Sequence, residues 1–195
     1  MRTRHLVVML KEPRPGRVKT RLGRQIGMVD AAWWFRHQTA RLLRRLDDPH
    51  WRLALAVTPD SEGLSSRAWP SHLPRVPQGK GDLGARMGRI LRRFPPGPVV
   101  IIGGDIPGIR PAHIARAFAA LGGHEAVFGP ATDGGYWLVG LKRSAPPPAT
   151  LFRNVRWSSE HALADTVATL PGYRIALTDT LMDVDTANDL AALSA

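Results

Sequence analysis

Two groups of charged residues in the 195-residue sequence have the types and spacing to handle a phosphate ester. The first is the run Lys11-Glu12-Pro13-Arg14-Pro15-Gly16-Arg17-Val18-Lys19-Thr20-Arg21-Leu22, which follows the apolar stretch His5 to Leu10. Ammonium groups at Lys11 and Lys19 can neutralise a polyphosphate, and a guanidinium at Arg21 adds two-pronged geometry that lysine lacks. The second is Val99-Val100-Ile101-Ile102-Gly103-Gly104-Asp105-Ile106-Pro107, an unbroken apolar strand that ends in two glycines and an aspartate. Gly104 lets a backbone approach closely there. A carboxylate at the tip of a buried strand suits a hard cation, Mg²⁺ or Mn²⁺, held between protein and diphosphate. Asp105 can equally cap a turn or the helix that follows.

Three further segments can complete such a site. In Asp183-Val184-Asp185-Thr186, alternation along an extended chain puts Asp183 and Asp185 on one face, and Asp185 is the preferred second metal ligand. The same residues can instead cap a closing helix, since Thr186-x-x-Asp189 reads as a capping box. The loop Gln78-Gly79-Lys80-Gly81-Asp82-Leu83-Gly84 offers the Gln78 amide, the Gly81 backbone and the Asp82 carboxylate to a nucleobase or ribose, with Asp82 as a helix cap the competing role. Asp133, in Asp133-Gly134-Gly135-Tyr136-Trp137, has an aromatic pair beside it and can receive a proton from an acceptor hydroxyl. Other chemistries find little support: there is no cysteine, no HxxxH histidine spacing and no serine elbow, and the basic loop Lys11 to Leu22 has neither the GxxxxGK[ST] nor the GxGxxG phosphate pattern.

Positioning these residues calls for alternating strands and helices. Strands are expected at His5 to Leu10, Trp51 to Val57, Val99 to Ile102, Ala126 to Phe128, Tyr136 to Leu141 and Arg174 to Leu177. Helices are expected at Asp30 to Leu46 (capped by Asp30), Asp82 to Phe94, Pro111 to Leu121, Ser158 to Leu170 (capped by Ser158) and Thr186 to Leu193. Lys11 to Gly27 reads as a loop and Thr58 to Pro77 as a turn-rich connection. This βαβ rhythm implies a mostly parallel mixed sheet between helical layers, a three-layer α/β/α sandwich. Loops after strand ends gather at the carboxyl edge of such a sheet, where ligands bind. The turn at Asp133 leaves either a hairpin or a crossing connection open.

Size and composition agree with one domain over residues 1–195, at 44% hydrophobic and 22% charged. The net charge is +11, and it is local: residues 1–45 hold 12 Lys or Arg against Glu12 and Asp30, while the rest hold 15 against 14 acids. Arg36, Arg41, Arg44 and Arg45 read as a solvated helix face. Leu6 to Leu10 is too short for a signal or a membrane span, which need roughly 7 to 15 and about 20 apolar residues. A cytoplasmic protein without a membrane partner is expected, of undetermined oligomeric state.

Taken in order, the segments Lys11 to Leu22, Gly81 to Met87, Gly103 to Gly108, Gly129 to Leu141 and Asp183 to Leu190 resemble the selenodomain-associated, glycosyltransferase-like transferase family. The resemblance implies a GT-A-like nucleotide-diphospho-sugar transferase fold, related to guanylyltransferases, with Mg²⁺ or Mn²⁺ as cofactor. It implies that Lys19 and Arg21 face phosphates, that the Gln78 to Gly84 loop faces the base, and that Asp105 and Asp185 face the metal. Two departures stand out: Gly103-Gly104 precede Asp105 where many GT-A enzymes have Asp-x-Asp, and no Gly-x-Gly-Thr-Arg-Met loop is present. The expected substrates are a nucleotide-sugar or an NTP together with a small-molecule acceptor. Glycosyl transfer from a nucleotide-diphospho-sugar is the leading expectation, nucleotidyl transfer the second. A basic RNA- or DNA-binding module is the third, and the local placing of charge argues against nucleic acid as partner.

Overall fold

Both faces of the stretch after His5 are apolar, so it can be satisfied only as an interior strand covered from two sides. The computed structural model describes residues 2–192 and places it so. In chain order the elements are β1 (His5–Lys11), α1 (Thr20–Ile26), α2 (Met28–Leu46), β2 (Arg52–Thr58), α3 (Asp60–Ser65), β3 (Arg75–Pro77) and α4 (Leu83–Arg93). There follow β4 (Val99–Gly103), α5 (Pro111–Gly123), β5 (Ala126–Pro130), β6 (Tyr136–Leu141), α6 (Ala162–Ala168), β7 (Ile175–Leu177) and α7 (Ala187–Ala192).

The seven strands form one sheet in the order β3-β2-β1-β4-β6-β5-β7. Every adjacent pair is parallel except those made by β6, which runs against both β4 and β5. The Asp133 turn is therefore a hairpin that folds β6 back between β5 and β4. Alternate residues of β1 divide between two apolar clusters. Leu6, Val8 and Leu10 pack with Leu42, Leu46, Ile114 and Phe118 of α2 and α5. Val7 packs on the other face with Met87, Ile90 and Leu91 of α4, with Met9, Leu163 and Val167 at the margin of that cluster. The result is the three-layer α/β/α sandwich, with a seven-stranded, mostly parallel sheet.

Several element expectations are corrected. Lys11 to Gly27 is not all loop: α1 occupies its second half, a helix too short for periodicity to reveal, anchored by buried Leu22. Asp30 does not cap α2, which starts earlier, at Met28, from an N-cap at Gly27, leaving Asp30 in the first turn. The Thr58 to Pro77 connection contains α3 and the short parallel strand β3. Ser158 is in left-handed backbone and caps nothing; the helix begins only at Ala162, after a turn in which Ser159 Oγ accepts the His161 N–H. In the expected closing helix, Leu193 lies outside the described residues. Among the described residues no helix is long and apolar enough to cross a membrane.

At α4 the start signal is read correctly. Asp82 Oδ1 accepts the Ala85 N–H at 2.8 Å, satisfying one of the donors a helix start leaves free. Replacing Asp82 by Ala should cost about 1 kcal/mol in urea unfolding, whereas Asp82→Asn, which retains a capping oxygen, should cost a few tenths of that.

Candidate active site

The carboxyl edge collects the ends of β1, β4, β5 and β7, and charges of both signs meet there. Lys19 Nζ donates to Asp105 Oδ2 and to Asp185 Oδ1, each at 2.9 Å. Its side chain is only 5% exposed, while those of Asp105 and Asp185 are 36% and 37% exposed. Arg21, with 76% of its side chain in solvent, reaches Asp185 Oδ2 at 3.3 Å. The structure thus brings Lys19, Arg21, Asp105 and Asp185 together at one rim. Burial alone would lower the Lys19 pKa, but the charges and hydrogen bonds of Asp105 and Asp185 outweigh it and hold the group above the ordinary lysine value. Lys19 is an ammonium at every physiological pH.

Asp105 is positioned by helix α2. Buried Thr39 donates from Oγ1 to the Gly104 carbonyl at 3.3 Å, and Arg45 donates to the Pro107 carbonyl at 3.0 Å, so both sides of the Asp105 turn are tied to one helix. Arg45 is therefore not part of a solvated face, contrary to the sequence expectation. Gly104 lines the cationic hollow beside Lys19, and a Cβ there would collide with the Leu10 side chain. Thr39 and Arg45 were missed in the sequence. The available signal was a lone hydroxyl on the apolar stripe Phe35, Thr39, Leu42, Leu46.

The alternatives for the Asp183 segment also separate. Asp189 Oδ2 accepts the Thr186 N–H at 2.7 Å and the Asp185 N–H at 3.0 Å, and the Asp189 N–H returns a bond to Thr186 Oγ1 at 3.2 Å. The capping box is formed by Thr186 and Asp189, which leaves the Asp185 carboxylate free to meet Lys19. Asp183 joins it: Asp105, Asp183 and Asp185 each offer an oxygen within 4.8 Å of the other two, the one such acidic group among the described residues. Three hard oxygen donors at that spacing fit a divalent cation, and the inserted ammonium marks the same place as one that positive charge stabilises. Burial raises the Asp183 pKa, and the neighbouring Asp185, Asp105 and Asp133 charges add to the rise against the opposing pull of Lys19.

Asp105 stands where two hollows join. One, about 430 Å³, is lined by Leu83, Met87, Asp133, Tyr136, Trp157 and Asp183 among others. The other, about 350 Å³, is lined by Lys11, Arg17, Lys19, Arg21, Asp105 and Asp185. Asp133 lies on the rim, its Oδ1 accepting the Gly135 N–H at 2.9 Å. Burial pushes the Tyr136 phenol up and keeps it protonated, and the Trp137 indole N–H donates to the Asp179 carbonyl. Half of the Gln78 amide is used inside the sheet. Gln78 is 3% exposed, and its Nε2 donates to the Leu10 and Ala56 carbonyls, so the side chain ties β1 to β2 and its NH₂ is not free to read a base. Asp82 is engaged as a cap, and Gly81 supplies the left-handed turn ahead of it (φ 104°). A larger hollow of about 910 Å³ opens at the opposite, amino edge. Its Asp48 and Asp47 are already paired with His50 and His72.

The profile of a family described as uncharacterized proteins conserved in bacteria (DUF2064) matches residues 41–159, which include Gln78, Asp105 and Asp133 but not Lys19 or Asp185. No curated protein matches the sequence. Among solved structures, a protein of Desulfovibrio desulfuricans G20 provisionally assigned as a nucleotide-diphospho-sugar transferase superposes with a TM-score of 0.88 at 29% identity, over 99% of this chain and 87% of that one. Rv0371c of Mycobacterium tuberculosis H37Rv, in complex with manganese, gives a TM-score of 0.57 at 19% identity over 98% and 97%. The 4-diphosphocytidyl-2C-methyl-D-erythritol synthase of Anaerococcus prevotii DSM 20548 gives 0.62 at 10% identity over 100% and 99%. The fold is that of the nucleotide-diphospho-sugar transferases.

Electrostatic crowding makes a stability prediction. A carboxyl group whose pKa is raised on folding is easier to bury protonated, so its contribution is fully present below the ordinary carboxylate range and is lost as pH rises through the raised value. Asp183→Asn should therefore raise Tm in EDTA at pH 7, with the gain vanishing at pH below the carboxylate range. Gly104→Ala should lower stability by about 1–3 kcal/mol in urea unfolding, as overpacking against the buried Leu10 side chain does.

Proposed function

The chain belongs to the DUF2064 family of bacterial proteins, and we propose that it is a metal-dependent transferase acting on a nucleotide-activated substrate, most simply transferring a sugar from a nucleotide diphosphate to a small acceptor. The observation that carries this reading is the meeting of Lys19 and Arg21 with Asp105 and Asp185 at the carboxyl edge, beside an open cleft. A diphosphate laid in the cationic hollow is met by Lys11, Lys19 and Arg21. Asp105 and Asp185, with Asp183, would hold Mg²⁺ or Mn²⁺. Such an ion neutralises charge on the diphosphate as it leaves. The nucleoside end is directed toward the Gln78 to Gly84 loop, where the Gly81 and Asp82 backbone and the remaining Gln78 oxygen can meet a base. Asp133, across the cleft, takes the proton from the acceptor hydroxyl as its oxygen attacks the sugar carbon and the bond to the diphosphate oxygen breaks.

A second reading is nucleotidyl transfer from an NTP to a phosphorylated acceptor. It is favoured by the density of cations in the hollow, which suits a triphosphate, and by the shared fold of the diphosphocytidyl synthase. In that case Lys19 and Arg21 hold the triphosphate while an acceptor phosphate attacks the α-phosphorus and pyrophosphate leaves.

A thermal-shift screen of UDP-sugars, GDP-sugars and NTPs, each with and without Mn²⁺, separates the readings. Ligand at a hundredfold excess over Kd adds about 2.7 kcal/mol, roughly 5–10 °C in Tm for a chain of this size. Stabilisation by a nucleotide-sugar with Mn²⁺ is expected, and Asp105→Asn should remove its metal-dependent part. A response to NTPs alone selects nucleotidyl transfer. No response to any nucleotide, together with salt-steep binding of RNA or DNA that needs no metal, would sink both.

A further inference from the structure

The Lys19 side chain is short of water and placed among the acids that a divalent cation needs. Its Nζ sits 2.9 Å from Asp105 and 2.9 Å from Asp185, two of the three members of the acidic group. The residue itself is held at φ 45°, ψ 46°, a left-handed conformation that a side-chain-bearing residue adopts at a cost, with no side-chain cap bond at the helix start to recover it. The polar contacts of the side chain are these two carboxylates. An ammonium and a divalent cation that draw on the same carboxylates repel one another at short range. Beside Lys19 lies the hollow lined by Lys11, Arg17 and Arg21, where an anion could take over as its partner.

Resting on the transferase reading, we infer that Lys19 is an internal cation that occupies the metal position until a diphosphate or longer phosphate chain draws its ammonium away, so that metal and polyphosphate load together. The substrate class follows from the geometry. One phosphoryl group has to receive Lys19 while the next faces the vacated carboxylates, so a monophosphate fills only one of the two roles. Metal alone meets carboxylates already paired with an ammonium, and the pair of ligands meets a site that each helps to open.

The test is Mn²⁺ binding followed by electron paramagnetic resonance of the free ion, in the absence of nucleotide, for the full chain and for Lys19→Met, Lys19→Gln and Lys19→Arg. Circular dichroism and Tm in EDTA establish that each variant is folded, and the Gln variant serves if the Met variant is not. Met and Gln, which lack the charge, should bind Mn²⁺ about tenfold more tightly than the unsubstituted protein, the size of effect expected on removing one charge-assisted competitor. Arg, which keeps the charge, should bind as weakly as the unsubstituted protein. In Tm measurements on the unsubstituted protein, Mn²⁺ and inorganic pyrophosphate together should exceed the sum of their separate shifts, while inorganic phosphate with Mn²⁺ should not. Equal or weaker Mn²⁺ binding by folded Met and Gln variants would overturn the role of Lys19 and leave the metal site standing. Absence of Mn²⁺ binding in every form, with or without pyrophosphate, would overturn the metal site and this inference with it.

Discussion

A lysine ammonium withdrawn from water must find anions, and in this protein the anions come from the far reaches of the chain. Asp105 is 86 residues from Lys19 and Asp185 is 166 residues away. Neither contact forms unless β1, β4 and the segment after β7 are already side by side. The ion pair is thus a consequence of the completed sheet, and it makes one electrostatic unit of three loops that share no local sequence. Removing either carboxylate leaves charge short of a partner in a place where solvent compensates poorly, which costs more than the pair itself contributes.

The sheet makes that meeting possible through direction. Six strands run one way, so the loops that follow β1, β4, β5 and β7 all emerge at the same edge. The reversed strand β6 has the complementary effect, because it begins at that edge and brings the Asp133 hairpin and Tyr136 to the cleft. Helix α2 then fixes the Asp105 turn from behind through Thr39 and Arg45, using polar groups that a purely apolar packing face would not carry. Gly104 packs against β1, where a Cβ would meet the Leu10 side chain. The backbone around the central aspartate is set by packing, and its carboxylate meets Lys19.

Three aspartates whose oxygens lie within 4.8 Å of one another oppose folding in the absence of positive charge, and the pKa of Asp183, raised by burial and then by its acidic neighbours, is in keeping with that opposition. Lys19 relieves part of it. Such local conflict between stability and charge placement is characteristic of sites selected for binding rather than for packing. Elsewhere the acids are used conventionally: Asp165 pairs with Arg156, Glu125 with Arg174 and Asp179 with Arg116, all at the surface.

The strands at His5, Val99 and Tyr136 were legible because an apolar run long enough to be buried on both faces has few other solutions, and the Gly103-Gly104-Asp105 terminus announced a carboxylate at a strand tip. Asp82 as a cap and Thr186 with Asp189 as a capping box were legible because those bonds span three residues. Helix α1 was not, since seven residues with Gly23 among them carry too little periodicity to distinguish from a loop. The sequence offered Gln78 as a base reader and Arg45 as a solvated cation; their actual partners, main-chain carbonyls of β1 and β2 and of Pro107, lie on segments remote in the chain. By itself, then, the sequence determined which residues could carry charge at strand ends and the α/β class that would hold them, because both depend on short-range pattern. Only the tertiary structure decided that Asp183 joins Asp105 and Asp185, that Asp185 is released from capping, and that Lys19 stands between two of them, because each depends on distances between segments that strand order alone sets.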